Sequence, residues 1–149
     1  WLFIHIDELM SGAISIDYAH DNGQQEVVNS DLTNNYLVKQ MIVGIGNTRE
    51  TMLQLPGYAG FDAFLKGNNI FVKITLDSES AFEQAKTNGS KENLIKMCRS
   101  NDMASMAYDY LRKEGVMGIT YQYVLQGSSK ETVKRLHIYE LITGIVVVD

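Results

Sequence analysis

Residues 118–148 read GITYQYVLQGSSKETVKRLHIYELITGIVVV, and this stretch decides the class of fold. Apolar side chains occupy every second position from Ile119 to Leu125, and polar Thr120 and Gln122 stand between them. Alternation of period two is typical of a strand with one buried face. The polar residues 127–130 join this segment to a second apolar-rich one. The stretch therefore predicts a C-terminal β-hairpin whose last strand continues to Val148.

The segment before this hairpin predicts a strand followed by helices. Residues 70–76, IFVKITL, are apolar and β-branched, as in a central strand. Asp77 or Ser78 is a suitable N-cap for a helix that Asn88 and Gly89 end. A second helix begins at Ser90, and apolar residues at helical spacing over 103–111 predict a third.

Residues 30–65 give less uniform signals. Ser30 or Asp31 can cap a helix that Gly44 and Gly46 stop, although the β-branched residues over 36–43 also suit a strand. The turn residues around Pro56 predict a loop over 55–60, and residues 61–65 predict a short helical turn.

The first twenty residues alternate as two short strands, over 2–6 and 14–18, with a helix over 7–16 as the alternative. There is no repeat and no shift in composition that marks a linker. The sequence therefore predicts one α+β domain over residues 1–149, with helices packed on one face of a mainly antiparallel sheet.

Composition narrows the range of partners. The chain has 149 residues, 45% of them apolar, which is enough for its own hydrophobic core. Its formal net charge is −5, so we expect no nucleic-acid partner, since a polyanion normally requires a basic face. The nearest basic cluster, Lys130, Lys134 and Arg135, is typical of a solvated hairpin edge.

Cys98 is the single cysteine, so no intrachain disulfide can form, and its apolar neighbours predict a small buried side chain rather than a nucleophile. No apolar run is long enough to cross a membrane. The chain begins at Trp1, which fits an excised fragment or removal of an N-terminal signal. We expect a soluble protein that is cytoplasmic or, after such removal, extracytoplasmic.

A first candidate site lies near the N-terminus. His5 and Asp7 are two apart on a predicted strand and project from the same face, and Asp17 and His20 join them if the first two strands pair. Histidine and carboxylate groups that converge in this way can hold a metal ion or move a proton. The competing interpretation is the solvent face of an amphipathic strand.

A second candidate site lies on the last predicted strand. His137 shares a face with Arg135 and Tyr139, and such a group can bind an anion. Glu140 falls on the apolar face, which indicates the end of the buried stretch, a bulge, or a functional carboxylate with a raised pKa. The glycines in residues 43–49 lack both the dinucleotide and the P-loop patterns, so we reject a nucleotide site and expect no cofactor.

These observations favour a non-enzymatic α+β module that binds a protein partner or itself. The nearly uncharged residues 141–148 would drive dimerisation if they formed an edge strand. The alternative is a small-molecule-binding or hydrolytic domain, with His5, Asp7, Asp17 or His137 around a cleft between helices and sheet.

Overall fold

A computed structural model describes residues 32–100 and 103–147, and its centre is a mixed four-stranded sheet in the order β1-β2-β3-β4. The strands are β1, Tyr58–Lys66; β2, Asn69–Leu76; β3, Gly118–Leu125; and β4, Glu131–His137. β1 pairs with β2 and β3 with β4 in antiparallel fashion, whereas β2 and β3 are parallel. The predicted α+β class and the mainly antiparallel sheet are confirmed.

Six α-helices accompany the sheet in the described part of the chain. They are α1, Tyr36–Gly46; α2, Arg49–Leu53; α3, Glu79–Asn88; α4, Lys91–Cys98; α5, Ala104–Lys113; and α6, Ile138–Thr143. Helices α3 to α5 form the crossover that parallel strands require, since β2 and β3 run side by side in the same direction. The predicted order of strand, helices, strand and strand after residue 69 is confirmed.

The hydrophobic core lies between the helices and one face of the sheet. On β2, Ile70, Val72, Ile74 and Leu76 are buried, and the residues between them are only partly covered. The residues paired with them on β1 and β3 point to the same side of the sheet, so one continuous face lies under the helices. Burial on β3 also extends to Thr120 on the other face, so β3 does not have the single buried face that its alternation predicts.

Side-chain N-caps begin several helices, and two of these caps are the serines that the sequence predicted. The Ser78 hydroxyl accepts a hydrogen bond from the N–H of Ala81, at 3.2 Å, and begins α3. Ser90 caps α4 in the same way, through the N–H of Asn93 at 3.2 Å. Asn35 rather than Ser30 or Asp31 caps α1, so the N-cap prediction for that helix is wrong.

The short helical turn predicted over residues 61–65 is wrong, because these residues belong to β1. The two-residue turn at Gly67 and Asn68, with φ +62° at Gly67, brings Lys66 opposite Asn69 and folds β1 back onto β2. Phe61 then packs wholly within the core. Pairing along a whole strand outweighs the local helical preference of five residues.

The C-terminal β-hairpin is confirmed, but its second strand ends at His137 and not at Val148. The predicted apolar strand over 141–148 is wrong as far as Val147, since α6 takes residues up to Thr143 and no strand follows over 144–147, and Val148 lies outside the described residues. Gly144 ends α6 in the left-handed conformation, with φ +79°. A dimer through a strand of residues 141–148 therefore has no structural basis, and β4 is the edge strand of this hairpin.

Candidate functional site

The hydrogen bonds at the two ends of the β3–β4 hairpin fix which backbone groups of β4 are paired. The N–H of Leu125 donates to the carbonyl of Lys130 at 3.1 Å, and the N–H of Ile138 donates to that of Met117 at 2.8 Å. Bonded and unbonded pairs alternate along an antiparallel ladder. The register therefore directs the backbone groups of the even-numbered residues of β4 toward β3.

The odd-numbered residues Glu131, Val133 and Arg135 direct their N–H and C=O groups away from the sheet. We name these groups the β4 edge. No residue of the described chain forms a hydrogen bond with them. The next N–H of the same series, that of His137, donates to Glu140 Oε1 at 2.8 Å, so the open edge ends there. Unpaired edge groups of this kind are a template for another strand.

Glu140 is the buried charge at this end of the sheet, with 1% of the residue exposed. Besides the His137 N–H, its carboxylate accepts the N–H of Val147 at 2.7 Å and lies 2.9 Å from the ammonium of Lys91. Lys91 also donates to the carbonyl of Val147, at 3.3 Å. We name Glu140, Lys91 and the backbone of Val147 the tail clamp, because together they hold residues 144–147 against α4 and α6.

The environment of Glu140 lowers its pKa. Burial alone would raise the pKa, but two backbone N–H donors, from Val147 and His137, and the Lys91 ammonium together favour the carboxylate more strongly. The sequence raised the possibility of a functional carboxylate with an elevated pKa, and the elevation of the pKa is wrong. A depressed pKa and full hydrogen bonding mark Glu140 as a structural anion.

His137 has a structural role as well. Its Nδ1 accepts the N–H of Tyr139 at 3.3 Å, which makes His137 the N-cap of α6. Its ring stacks on that of Tyr139, with centroids 5.5 Å apart and planes inclined by 13°. The C-terminal end of α6 is fixed by Arg99, which donates to the carbonyls of Leu141 and Ile142 at the negative end of the helix.

An open cleft of about 520 Å³ lies beside the β4 edge, where β4 meets α6 and the tail clamp. We name it the β4 cleft. Its apolar lining includes three side chains that are more than half exposed, Met117, Tyr139 and Val147. Its polar lining includes Asn69, Lys91, Arg135, His137 and Glu140.

The charges of the β4 cleft are not balanced. Lys91 and Glu140 neutralise each other in the tail clamp. Arg135 forms no ion pair with any residue that the structure describes. The cleft therefore presents one unpaired guanidinium beside an apolar lining, although the whole chain is acidic. Guanidinium groups suit carboxylate and phosphate ligands because their donors form a rigid fork.

The basic cluster predicted on the hairpin is divided by the structure. Lys130 pairs with Glu79 and lies 3.4 Å from Glu83, both on α3. Lys134 lies on the helix-covered face of β4, while Arg135 lies on the opposite face. These three cations do not form one surface, and of the three only Arg135 is an exposed charge on the edge strand that has no ion-pair partner among the described residues.

Cys98 is wholly buried, as predicted. Burial raises the pKa of its thiol to about 12, and the Sγ atom lies 3.9 Å from the hydroxyl of Tyr121. A protonated, buried thiol is a poor nucleophile. Tyr108, Tyr121 and Tyr123 are buried in the same region, whereas Tyr139 is exposed at the β4 cleft.

The remaining predicted site residues, His5, Asp7, Asp17 and His20, lie outside the described residues. Within the described ranges, no three His, Cys, Asp or Glu side chains come close enough together to hold a metal ion. Nor does any helix in those ranges have the length and apolar character needed to cross a membrane. Of the sequence candidates, the structure brings together Arg135, His137 and Glu140, and it adds Lys91, Asn69, Met117 and Val147, which sequence reasoning missed.

Searches against protein-family models, curated proteins and solved structures gave no match. The class of the protein therefore rests on its own geometry. The described residues form an α+β module with an open edge strand and an adjoining cleft, and the titratable groups of that cleft are mostly engaged in holding the backbone.

Proposed function

We propose that this chain is a non-enzymatic protein-binding module that takes an extended polypeptide segment as an additional strand on the β4 edge. The observation that carries the proposal is the set of unpaired backbone groups on Glu131, Val133 and Arg135. Strand addition of this kind draws its affinity from main-chain hydrogen bonds and its selectivity from pockets for alternate side chains.

The β4 cleft supports the proposal because it continues the β4 edge. A segment paired with β4 would reach Met117, Tyr139 and Val147, whose exposed apolar surface suits a side chain of the segment. Arg135 belongs to both the edge and the cleft, so an acidic group on the segment would meet an unpaired cation.

The engagement of Glu140 supports binding rather than catalysis. Both carboxylate oxygens of Glu140 accept hydrogen bonds, and His137 uses Nδ1 to cap α6. A general acid or base needs a free site within reach of the substrate proton. Glu140 uses both of its oxygens to hold the end of the hairpin and the tail, whereas His137 uses only one of its two ring nitrogens.

A peptide-display selection tests the proposal. Extended peptides are selected on the wild-type protein, and their affinity is then measured for Val133→Pro and for the matched control Val133→Thr. Proline removes the outward N–H of Val133 and leaves the β3–β4 ladder complete, whereas threonine keeps the N–H. We expect selected peptides to bind the wild type and the control, and to lose at least about tenfold in affinity for the proline variant.

Selection of no peptide, or equal binding to Val133→Pro and Val133→Thr, would contradict strand addition at β4. Circular dichroism and thermal unfolding of both variants check that the sheet is intact. Because the outward N–H has no partner in the described chain, we expect the two variants to unfold within a few degrees of each other.

A small anionic ligand in the β4 cleft is a second candidate, favoured by the unpaired Arg135 and by a volume of about 520 Å³, which lies within the usual range for ligand pockets. Ligand-observed NMR with small carboxylic acids that carry an apolar group tests it. Binding that is lost in Arg135→Gln and retained in Val133→Pro would support this candidate. Binding that is the same in wild type and Arg135→Gln would exclude it.

A further inference from the structure

We infer that the segment which adds to β4 is β4 of a second copy of this chain, in antiparallel register about a two-fold axis through Val133. This inference rests on the proposed function and gives its partner an identity. The two four-stranded sheets then form one continuous sheet across the axis. The pairing is isologous, so every contact occurs twice and the assembly closes as a dimer.

The backbone geometry of β4 fits this arrangement. Val133 lies midway between Glu131 and Arg135, and all three direct their N–H and C=O groups outward. With Val133 on the axis, Val133 faces Val133 of the second copy, and Glu131 faces Arg135 of the second copy. Each facing pair consists of residues with outward groups, so each can exchange both of its N–H···O bonds.

Charge selects this register. Glu131 and Arg135 lie on the same face of β4 and are both exposed, and neither forms an ion pair with the described residues. With Val133 on the axis, each glutamate meets an arginine of the other copy, and Lys134 meets Thr132. Opposite charges on directly facing strand positions stabilise a sheet.

The neighbouring registers place like charges together. An axis through Lys134 sets Lys134 directly opposite Lys134 of the second copy. An axis through Arg135 sets the two Arg135 side chains opposite each other. Like charges that face each other directly destabilise strand pairing. The charges of β4 thus oppose indiscriminate edge pairing and are complementary in the register about Val133.

The other edge of the sheet is less suited to a second strand. Helices α1 and α2 both pack against β1. The pairing of β1 also shifts between Tyr58 and Gly60, which is the mark of a β-bulge. Bulges and covering elements are common means of protecting an edge. Helices α4 and α6 contact β4 more sparsely, no bulge interrupts its described pairing from Glu131 to Arg135, and no described residue bonds to its outward backbone groups.

Sedimentation velocity across a concentration range tests the inference on the 149-residue chain. We expect a concentration-dependent monomer–dimer equilibrium for the wild type and for Val133→Thr, and a monomer for Val133→Pro. A wild type that remains monomeric up to millimolar concentration, or a dimer that Val133→Pro leaves unchanged, would overturn it.

Charge variants test the register independently of any effect of proline on folding. Glu131→Arg and Arg135→Glu should each weaken self-association by about tenfold, because each puts like charges on both symmetry-related pairs. The double variant E131R/R135E restores opposite charges and should recover the wild-type dimer. An equimolar mixture of the two single variants should form a heterodimer.

A double variant that associates no better than the single variants would overturn the register about Val133. The peptide selection separates this failure from that of the proposed function. If the wild type is strictly monomeric but selected peptides still bind in a manner sensitive to Val133→Pro, the partner is not a second copy and strand addition stands. If neither association occurs, both are excluded.

Discussion

The sequence correctly places Glu140 among buried apolar residues, but it suggests the wrong direction for the shift of its pKa. An acidic residue among apolar ones suggests a desolvated carboxyl with a raised pKa. The structure instead surrounds it with two backbone N–H groups and a lysine, and these donors outweigh desolvation. What decides the direction of the pKa shift is the set of donors, one of which, Lys91, is far away in sequence.

Replacement of Glu140 by glutamine should destabilise the protein. Glu140→Gln removes the charge opposite Lys91 and places an amide where a carboxylate oxygen accepts a backbone N–H. We expect a loss of about 2 kcal/mol in the free energy of unfolding, measured by urea denaturation at pH 7. Glu92→Gln is the control, since Glu92 is exposed on the adjoining helix, and it should change that free energy by less than about 0.5 kcal/mol.

The contribution of Glu140 should also depend on pH. Because the pKa is lower in the folded protein, the contribution is complete above the ordinary glutamate pKa of about 4.3 and is lost as pH falls through the lower folded-state pKa. The difference in unfolding free energy between wild type and Glu140→Gln should therefore shrink below about pH 4. A difference that stays constant down to pH 2 would contradict the assigned pKa direction.

Among the elements, α6 is the one that changes the interpretation of the C-terminus. Its start has a capping box, in which the Nδ1 of His137 accepts the N–H of Tyr139 and Glu140 accepts the N–H of His137. Its end has a left-handed glycine at Gly144. Both signals are present in the sequence, but six residues are too few to show a helical period, and Ile138 and Ile142 suit a strand equally well.

The β3–β4 hairpin depends on the absence of a side chain at Gly118. A Cβ atom built there would lie 2.1 Å from the carbonyl oxygen of Leu136 on β4. Since a backbone atom cannot move aside as a flexible side chain does, Gly118→Ala should separate the strands and destabilise the protein by about 2–4 kcal/mol, measured by thermal or urea unfolding.

Gly46→Ala is the matched control for this substitution. Nothing lies within 4 Å of a Cβ atom at Gly46, which is the last residue of α1. Alanine is a better helix former than glycine, so we expect no loss of stability and a gain of up to about 1 kcal/mol. If the two substitutions changed the free energy of unfolding equally, the close approach of Gly118 to the Leu136 carbonyl would not limit stability.

At the scale of the whole molecule, the reactivity of the single cysteine, Cys98, measures how often the core opens. Cys98 is wholly buried beneath Tyr108 and Tyr121, and its pKa is raised to about 12, so the thiol stays protonated at ordinary pH. Reaction with an aromatic disulfide reagent should require opening of the core. We expect native protein to react at least about a thousandfold more slowly than protein in guanidinium chloride.

That experiment also contains its own control, because Cys98 is the only thiol in the chain. A rate near that of the unfolded protein would mean that α4 opens without global unfolding. If the slow rate increases in Gly118→Ala in proportion to its loss of stability, the hairpin and the packing around Cys98 unfold as one unit.

The fold was more predictable than the site. The helices that follow residue 77 were predictable because Ser78 and Ser90 act through neighbours three positions away, and strand β2 was predictable because its β-branched run has one dominant preference. The tail clamp was not, since Lys91 and Val147 carry no local signal that they meet at Glu140. Contacts between distant segments depend on how the elements pack.

The amino-acid sequence by itself determined the α+β class, the caps that begin α3 and α4, and the strand character of residues 118–125, because each depends on interactions over a few residues or on a simple period. Only the tertiary structure decided that β4 ends at His137, that β4 lies at an edge, and that Glu140 holds the tail. These features depend on which strands pair and which donors surround a buried charge, and such energies arise between segments far apart in the chain.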